Sequence, residues 1–310
     1  MGKIAFVFPG QGSQTVGMGR DLYEQDAAAR AYFDRADAAL GFKLSELIFH
    51  GPETELKQTY HTQPALLTTS VAFLEAFQAA GVKPDFVAGH SLGEYSALVA
   101  AGVLGFEDAV RTVRARGEFM EQAVPGGLGA MAAVLGADRQ ALAALCADIS
   151  AGGSVVELAN VNCPGQIVVS GSRDGVAVVG ERGKEAGAKR VIPLEVSGPF
   201  HSSLMKPASE RLAATLAAVP MSPAAVPVIA NVTARPVSEP GEIGRLLVEQ
   251  VYSPVLWEDT IAYLIGAGVD TFIELGSGTV LAGLIKKVDK TVRTVSVGTM
   301  EALDSFKQQV

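Results

Sequence analysis

A short apolar run, Phe86-Val87-Ala88, feeds into Gly89-His90-Ser91-Leu92-Gly93, and the apolar stretch 95–106 follows at once. That order predicts a buried strand, a sharp turn bounded by glycines, and a helix. In this setting G-x-S-x-G is the pattern of a nucleophile elbow, with the serine hydroxyl projecting from the tip of the turn. The glycines let neighbouring elements pack close to the backbone. The Leu92 N–H, at the helix start, then points at an oxygen on the reacting carbon. A purely structural glycine turn is the competing reading, and the preceding strand favours Ser91 as a nucleophile.

A serine hydroxyl attacks poorly at neutral pH unless a base accepts its proton. The chain has four histidines. His90 adjoins the serine but points elsewhere from the elbow, which suits a hydrogen bond supporting the turn. His50 and His61 lie in loop-like, solvated surroundings. His201, in Gly198-Pro199-Phe200-His201-Ser202, is the only histidine C-terminal to Ser91, as the base is in hydrolase chain order. It is therefore the candidate general base and acid. A third triad member is harder to place. Glu195 is the nearest acid to suggest, and a carbonyl oxygen could orient the imidazole instead. A dyad without anionic support suits an enzyme that shuttles an acyl group better than a hydrolase.

The loop Pro9-Gly10-Gln11-Gly12-Ser13-Gln14 follows an apolar run at 4–8 that predicts the first buried strand. A dinucleotide fingerprint would need glycine at position 15, where Thr15 stands, and no phosphate-loop motif occurs. The Gln11 N–H is instead a candidate second oxyanion donor.

Helical periodicity marks 27–40, 62–80 and 106–124. The middle of the chain then alternates strand 130–134, helix 138–149, strand 155–160, strand 167–170, helix 175–186 and strand 190–194. This βαββαβ order is that of a ferredoxin-like unit. The predicted fold class is α/β, with a hydrolase-like core over 1–125 and 198–310 and an inserted ferredoxin-like subdomain over 126–197. Later signals predict helix 203–219, strand 228–230, helices near 243–251 and 257–267, strand 271–275 and a helix after Gly278.

Lys and Arg number 25 against 33 Asp and Glu, a net charge of −8, which argues against a broad nucleic-acid footprint. Cys146 and Cys163 make neither a disulfide framework nor a metal cluster, so a reducing cytoplasm and no metal are expected. Cys163 reads as a passive packing residue. The longest apolar stretch is shorter than the ~20 residues a membrane helix needs, and no membrane association is expected.

Several segments together resemble the malonyl-CoA:acyl carrier protein transacylase family: GQGSQ at 10–14, TQPAL at 62–66, GHSLGEY at 89–95, Arg116-Gly117 with Met120, PFHS at 199–202, YSPV at 252–255 and ELGSG at 274–278. The resemblance covers essentially the whole chain, and its fold is similar to the one read above. It implies a malonyl ester on Ser91, His201 as base, and the Gln11 and Leu92 N–H groups as oxyanion hole. Arg116 would hold the malonyl carboxylate, because guanidinium offers a two-donor fork. Read without the resemblance, Arg116 could share a solvated helix face with Arg111 and Arg114. A carbonyl near Gln250 would orient the histidine, although Gln250 could also be a surface helix residue. Phe200 resembles the malonyl-selective version of the family, leaving little room for an α-methyl branch. Gly198 departs from the alanine often found there.

The implied reaction is ping-pong transfer of malonyl from malonyl-CoA to the phosphopantetheine thiol of acyl carrier protein in fatty-acid synthesis, without a cofactor. Loading of polyketide carrier domains, an esterase and a non-catalytic carrier-binding module are the alternatives. Acyl carrier proteins are acidic, so docking on this acidic chain needs local cations, for which Lys189, Arg190, Lys286 and Lys287 are candidates. A monomer is expected.

Overall fold

The computed structural model describes residues 2–308. In chain order its strands are β1 (Lys3–Phe8), β2 (Phe86–Gly89), β3 (Gly129–Leu135), β4 (Val156–Cys163), β5 (Gln166–Ser172), β6 (Arg190–Pro193), β7 (Val228–Ala230), β8 (Arg235–Val237), β9 (Val255–Leu256), β10 (Val269–Leu275) and β11 (Arg293–Val297). They form two sheets, with orders β11-β10-β1-β2-β7-β8 and β6-β3-β5-β4-β9.

In the six-stranded sheet every neighbouring pair is parallel except β7 with β8. Helices must cover both faces of such a sheet, so its central strands are apolar throughout rather than alternating. Along β1, Phe6 and Phe8 enter one core, whereas Ala5 and Val7 enter a second core on the opposite face. Phe6 meets Phe77 of the Thr59–Gln78 helix edge to face at 5.4 Å. That helix begins three residues before the predicted start at Thr62 and holds Pro64 inside it. A proline there leaves the carbonyl four residues back without its helical partner. Arg114 Nη1 supplies one, donating to the Tyr60 carbonyl at 3.2 Å.

Neighbouring strands in the series β6, β3, β5, β4 of the second sheet are antiparallel, in the order a βαββαβ unit requires. Its helices, Arg139–Ala151 and Arg173–Arg182, are N-capped by the Asp138 and Ser172 side chains. Ala132 and Val134 of β3 pack with Leu142, Leu145 and Ile149 in a separate small core. The alternate residue Met131, with Val168 of β5, turns to the main core. The fifth strand, β9, comes from outside 126–197 and pairs parallel with β4. Neither β9 nor the edge strands β8 and β11 was foreseen. Strands of two or three residues, as β9 and β8 are, carry too little periodicity to be read.

Candidate active site

Three parallel strands end at one edge of the large sheet, which brings the loops after β1, β2 and β7 together. The turn after β2 is tight enough that only glycine fits at its ends. A Cβ on Gly89 would lie 1.9 Å from the Gly93 carbonyl, and one on Gly93 would lie 2.1 Å from the Phe8 oxygen. Ser91 itself sits at φ 51°, a strained position for a residue with a side chain. Asn231, immediately after β7, holds it there: Ser91 N donates to Asn231 Oδ1 at 2.7 Å, and Asn231 Nδ2 donates to the Gly89 carbonyl at 2.7 Å.

His201 meets the serine, with 2.8 Å between its Nε2 and Ser91 Oγ. It too has positive φ, 59°, and its loop is pinned by a bond from its own N–H to the Val251 carbonyl. Its Nδ1 lies 2.8 Å from the Gln250 carbonyl oxygen, so the imidazole is oriented by main chain and not by an acid. Glu195, suggested from the sequence as the third member, is exposed on the loop before His201 and does not reach the imidazole. Burial, followed by the nearby Arg116 charge, pushes the His201 pKa down to about 3, so the imidazole is neutral at pH 7 and ready to accept a proton.

The other histidines take no part in this pair. His90 Nε2 lies 2.8 Å from Asn162 Oδ1 and its ring lies against Trp257, so it joins the elbow to β4. His50 is exposed beside Glu46, and half-buried His61 bonds the Glu55 carbonyl.

Arg116 lies on the buried stripe of the Phe106–Gln122 helix with Val113 and Met120 and is 1% exposed. Arg111 and Arg114 point elsewhere, pairing with Asp108 and Glu118. At Gly117 a Cβ would come within 2.6 Å of Tyr60 Cα, so the absence of a side chain lets this helix lie against the Thr59–Gln78 helix. Arg116 Nη1 thereby reaches Gln63 Oε1 at 2.8 Å. Its Nη2 donates to Gln250 Oε1 at 2.9 Å and to Ser91 Oγ at 3.2 Å. These acceptors are all neutral, and among the described residues no carboxylate lies within salt-bridge distance of the guanidinium. Gln250 is fully buried, not a surface helix residue, and serves both halves of the site.

A cavity of about 120 Å³ opens over Ser91, lined by Gln11, Leu92, Arg116, Met120, Met131, Asn160, Phe200 and His201 among others. Among the described residues, neither the Gln11 nor the Leu92 N–H donates to a protein acceptor. Both residues border the space in which a reacting carbonyl would sit. A groove of about 430 Å³ adjoins the cavity, sharing Gln11, His90, Asn160, Leu194 and Val196 and running out past Gln166 and Lys57. The described residues contain no cluster able to hold a metal ion.

The sequence profile of the acyl transferase domain family matches residues 5–304. The chain belongs to this acyltransferase family. It is 58% identical to the malonyl CoA-acyl carrier protein transacylase of Bacillus subtilis over 98% of this chain and 96% of that protein. Among solved structures, an acyl carrier protein S-malonyltransferase from Vibrio cholerae superposes with a TM-score of 0.95 at 48% identity, covering 98% of this chain and 99% of that one. A malonyl-transacylase solved with a type II PKS acyl-carrier protein gives 0.96 at 41% identity, over 99% and 100% of the two chains.

Three polar residues of this acyltransferase's site escaped the sequence reading. Glu94 was visible as the lone charge beginning an otherwise apolar helix, and Gln63 lay in the TQPAL segment. Asn231 carried one weak signal, an amide at the end of a short strand. Each acts through partners far away in sequence, which periodicity does not report. Of the four candidate docking cations, Lys189, Arg190 and Lys287 are exposed. Lys287 bonds Gln166 at the groove, whereas the Lys286 ammonium is taken up by the Lys290 and Val292 carbonyls.

Proposed function

We propose that this acyltransferase moves the malonyl group from malonyl-CoA to the phosphopantetheine thiol of acyl carrier protein in fatty-acid biosynthesis, through a malonyl ester on Ser91. One observation carries the choice of acyl group: a fully buried guanidinium, 3.2 Å from the nucleophilic oxygen, whose partners are all neutral. Burying a cation with no carboxylate in direct contact is unfavourable, and a substrate carboxylate relieves that cost. A neutral acyl group cannot.

His201 Nε2 takes the Ser91 proton as Oγ attacks the thioester carbonyl, forming the new C–O bond. The Gln11 and Leu92 N–H groups hold the oxyanion of the tetrahedral intermediate. Collapse breaks the C–S bond, and His201 returns the proton to the leaving CoA thiolate. The carrier's thiol then gives its proton to His201, attacks the ester, and the steps run in reverse. Every proton moves through one imidazole held by the Gln250 carbonyl, and the scheme calls on no cofactor.

The Phe200 ring lines the cavity and disfavours an α-methyl branch. The groove beside it suits the long phosphopantetheine arm, and the exposed cations Lys189, Arg190 and Lys287, the last bonded to Gln166 of the groove, suit an acidic carrier. We assign residues 126–197 to the smaller structural unit and the flanking segments to the larger, with a monomer working in the cytoplasm. Two buried free cysteines suit a reducing compartment, and no helix of the described residues is long and apolar enough to cross a membrane. The polyketide alternative is not favoured. The test offers the protein malonyl-CoA with holo carrier proteins from fatty-acid and polyketide systems and follows acyl transfer by mass. Rapid loading of the fatty-acid carrier, with methylmalonyl-CoA a poor donor, is the expected result; no loading of that carrier contradicts the proposal.

A further inference from the structure

In the first turn of the Gly93–Ala100 helix, Glu94 is 2% exposed, and no step of the transfer uses it. Its Oε2 accepts from Gln250 Nε2 at 2.7 Å and from the Asn231 N–H at 3.1 Å. The first bond decides which end of the Gln250 amide faces Arg116. With the NH₂ group held by Glu94, Gln250 Oε1 is left to accept from Arg116 Nη2. The second bond fixes the residue whose side chain holds the strained Ser91 N–H. A buried carboxyl and a buried guanidinium are thus joined through one amide, in an interior where charges are felt strongly.

We infer that Glu94 is a positioning residue whose negative charge balances Arg116 and so weakens the guanidinium's hold on the malonyl carboxylate. The inference rests on the reading of Arg116 as the group that binds that carboxylate. An unbalanced guanidinium would grip malonyl equally in the thioester and in the serine ester, lowering the Michaelis constant without speeding the chemical step. Release to the acceptor would then suffer. Glu94 keeps the grip moderate.

The charge balance is adjustable near neutral pH. The titratable groups facing Glu94 are Arg116 on the neighbouring helix, Tyr95 beside it, and His201 and His90 around the elbow. Burial lowers both histidines and pushes the Tyr95 hydroxyl up, so each of these shifts favours the neutral form. Burial raises Glu94 to about 7, against the bonds from Asn231 and Gln250 and the Arg116 charge, which lower it. Below that pH the carboxyl is neutral and Arg116 binds malonyl tightly. Above it the carboxylate opposes binding.

The experiment measures KM for malonyl-CoA, and the inhibition constant of acetyl-CoA, from pH 6 to 8 in the wild type and in Glu94→Gln. Acetyl-CoA carries the same CoA portion without the carboxylate. Glutamine keeps an acceptor for Gln250 and Asn231 and removes the charge. In the wild type, KM for malonyl-CoA should rise about tenfold across this range, the equivalent of one pKa unit, while the acetyl-CoA constant stays level. Glu94→Gln should hold KM at its low-pH value throughout and lower kcat. Malonyl-CoA and acetyl-CoA constants that move together, in either protein, would overturn the inference, because a merely structural role treats both ligands alike. The wild-type profile decides the matter even where the variant does not fold. Arg116→Ala, measured alongside, separates the two levels. If it leaves the preference for malonyl intact, the carboxylate reading itself falls; if it removes that preference while Glu94→Gln leaves the pH profile unchanged, only the role of Glu94 falls.

Discussion

Strands β1, β2 and β7 of the six-stranded sheet lead into Gln11, Ser91 and Asn231, whereas the five-stranded sheet sends Met131 and Asn160 from its face to the same cavity. The contrast follows from ladder direction. Parallel strands finish at a common edge, so their turns converge and can be held in strained geometry by bonds between loops, as Asn231 holds Ser91. An antiparallel sheet offers alternate side chains along a face, which makes a wall. The nucleophile, the Gln11 loop and Asn231 thus follow strands of one sheet and shape-making groups line the other, while His201 and Arg116 reach the site from a loop and a helix. Changes to the first should strike kcat, and changes to the second should strike KM and selectivity.

The largest expected effect is on the dyad. His201→Ala should lower the rate of acylation by malonyl-CoA about 10²- to 10⁴-fold, the usual range for a positioned general base, as read by stopped-flow with unchanged circular dichroism. Next comes Arg116→Ala. Removing one member of a buried charge contact costs roughly 2–5 kcal/mol, so kcat/KM for malonyl-CoA should fall at least about 30-fold while acetyl-CoA binding changes little. A smaller effect is expected from the other sheet: Asn160→Ala should raise KM for malonyl-CoA a few-fold at near-constant kcat. A loss of kcat comparable with that of His201→Ala would break the division between the sheets. The smallest is Gly198→Ala, whose Cβ would meet Phe200 Cε1 at 3.0 Å. Pressing that ring toward the cavity should penalise methylmalonyl-CoA further while malonyl transfer shifts less than about twofold, measured by competition between the two donors.

The contrast also accounts for what the sequence could reveal. Ser91 and His201 could be singled out because a strained turn needs glycines at fixed offsets and because, in hydrolase chain order, the base follows the nucleophile. The two helices and four strands of the small unit were legible from their periodicity. Arg116 was not decided by pattern alone, although its place on the stripe of Val113 and Met120, and not beside Arg111, was available from helical spacing. Glu94, Gln63 and Asn231 were hidden for a different reason: each is a polar residue satisfied by partners 19 to 156 positions away, and only the folded chain brings these together. Glu195 was suggested from nearness in sequence, and the Gln250 carbonyl, 49 positions beyond His201, holds the imidazole instead. Strand β9 joins the small sheet for the same kind of non-local reason.

The proposed transfer turns on a malonyl ester on Ser91. Intact protein incubated with malonyl-CoA in the absence of acceptor, then weighed by mass spectrometry and mapped by peptide, tests it most directly. A single malonyl adduct on the peptide carrying Ser91, absent in Ser91→Ala and discharged by holo acyl carrier protein, is the predicted result. An unmodified protein that still transfers malonyl, or an adduct that persists in Ser91→Ala, would contradict it.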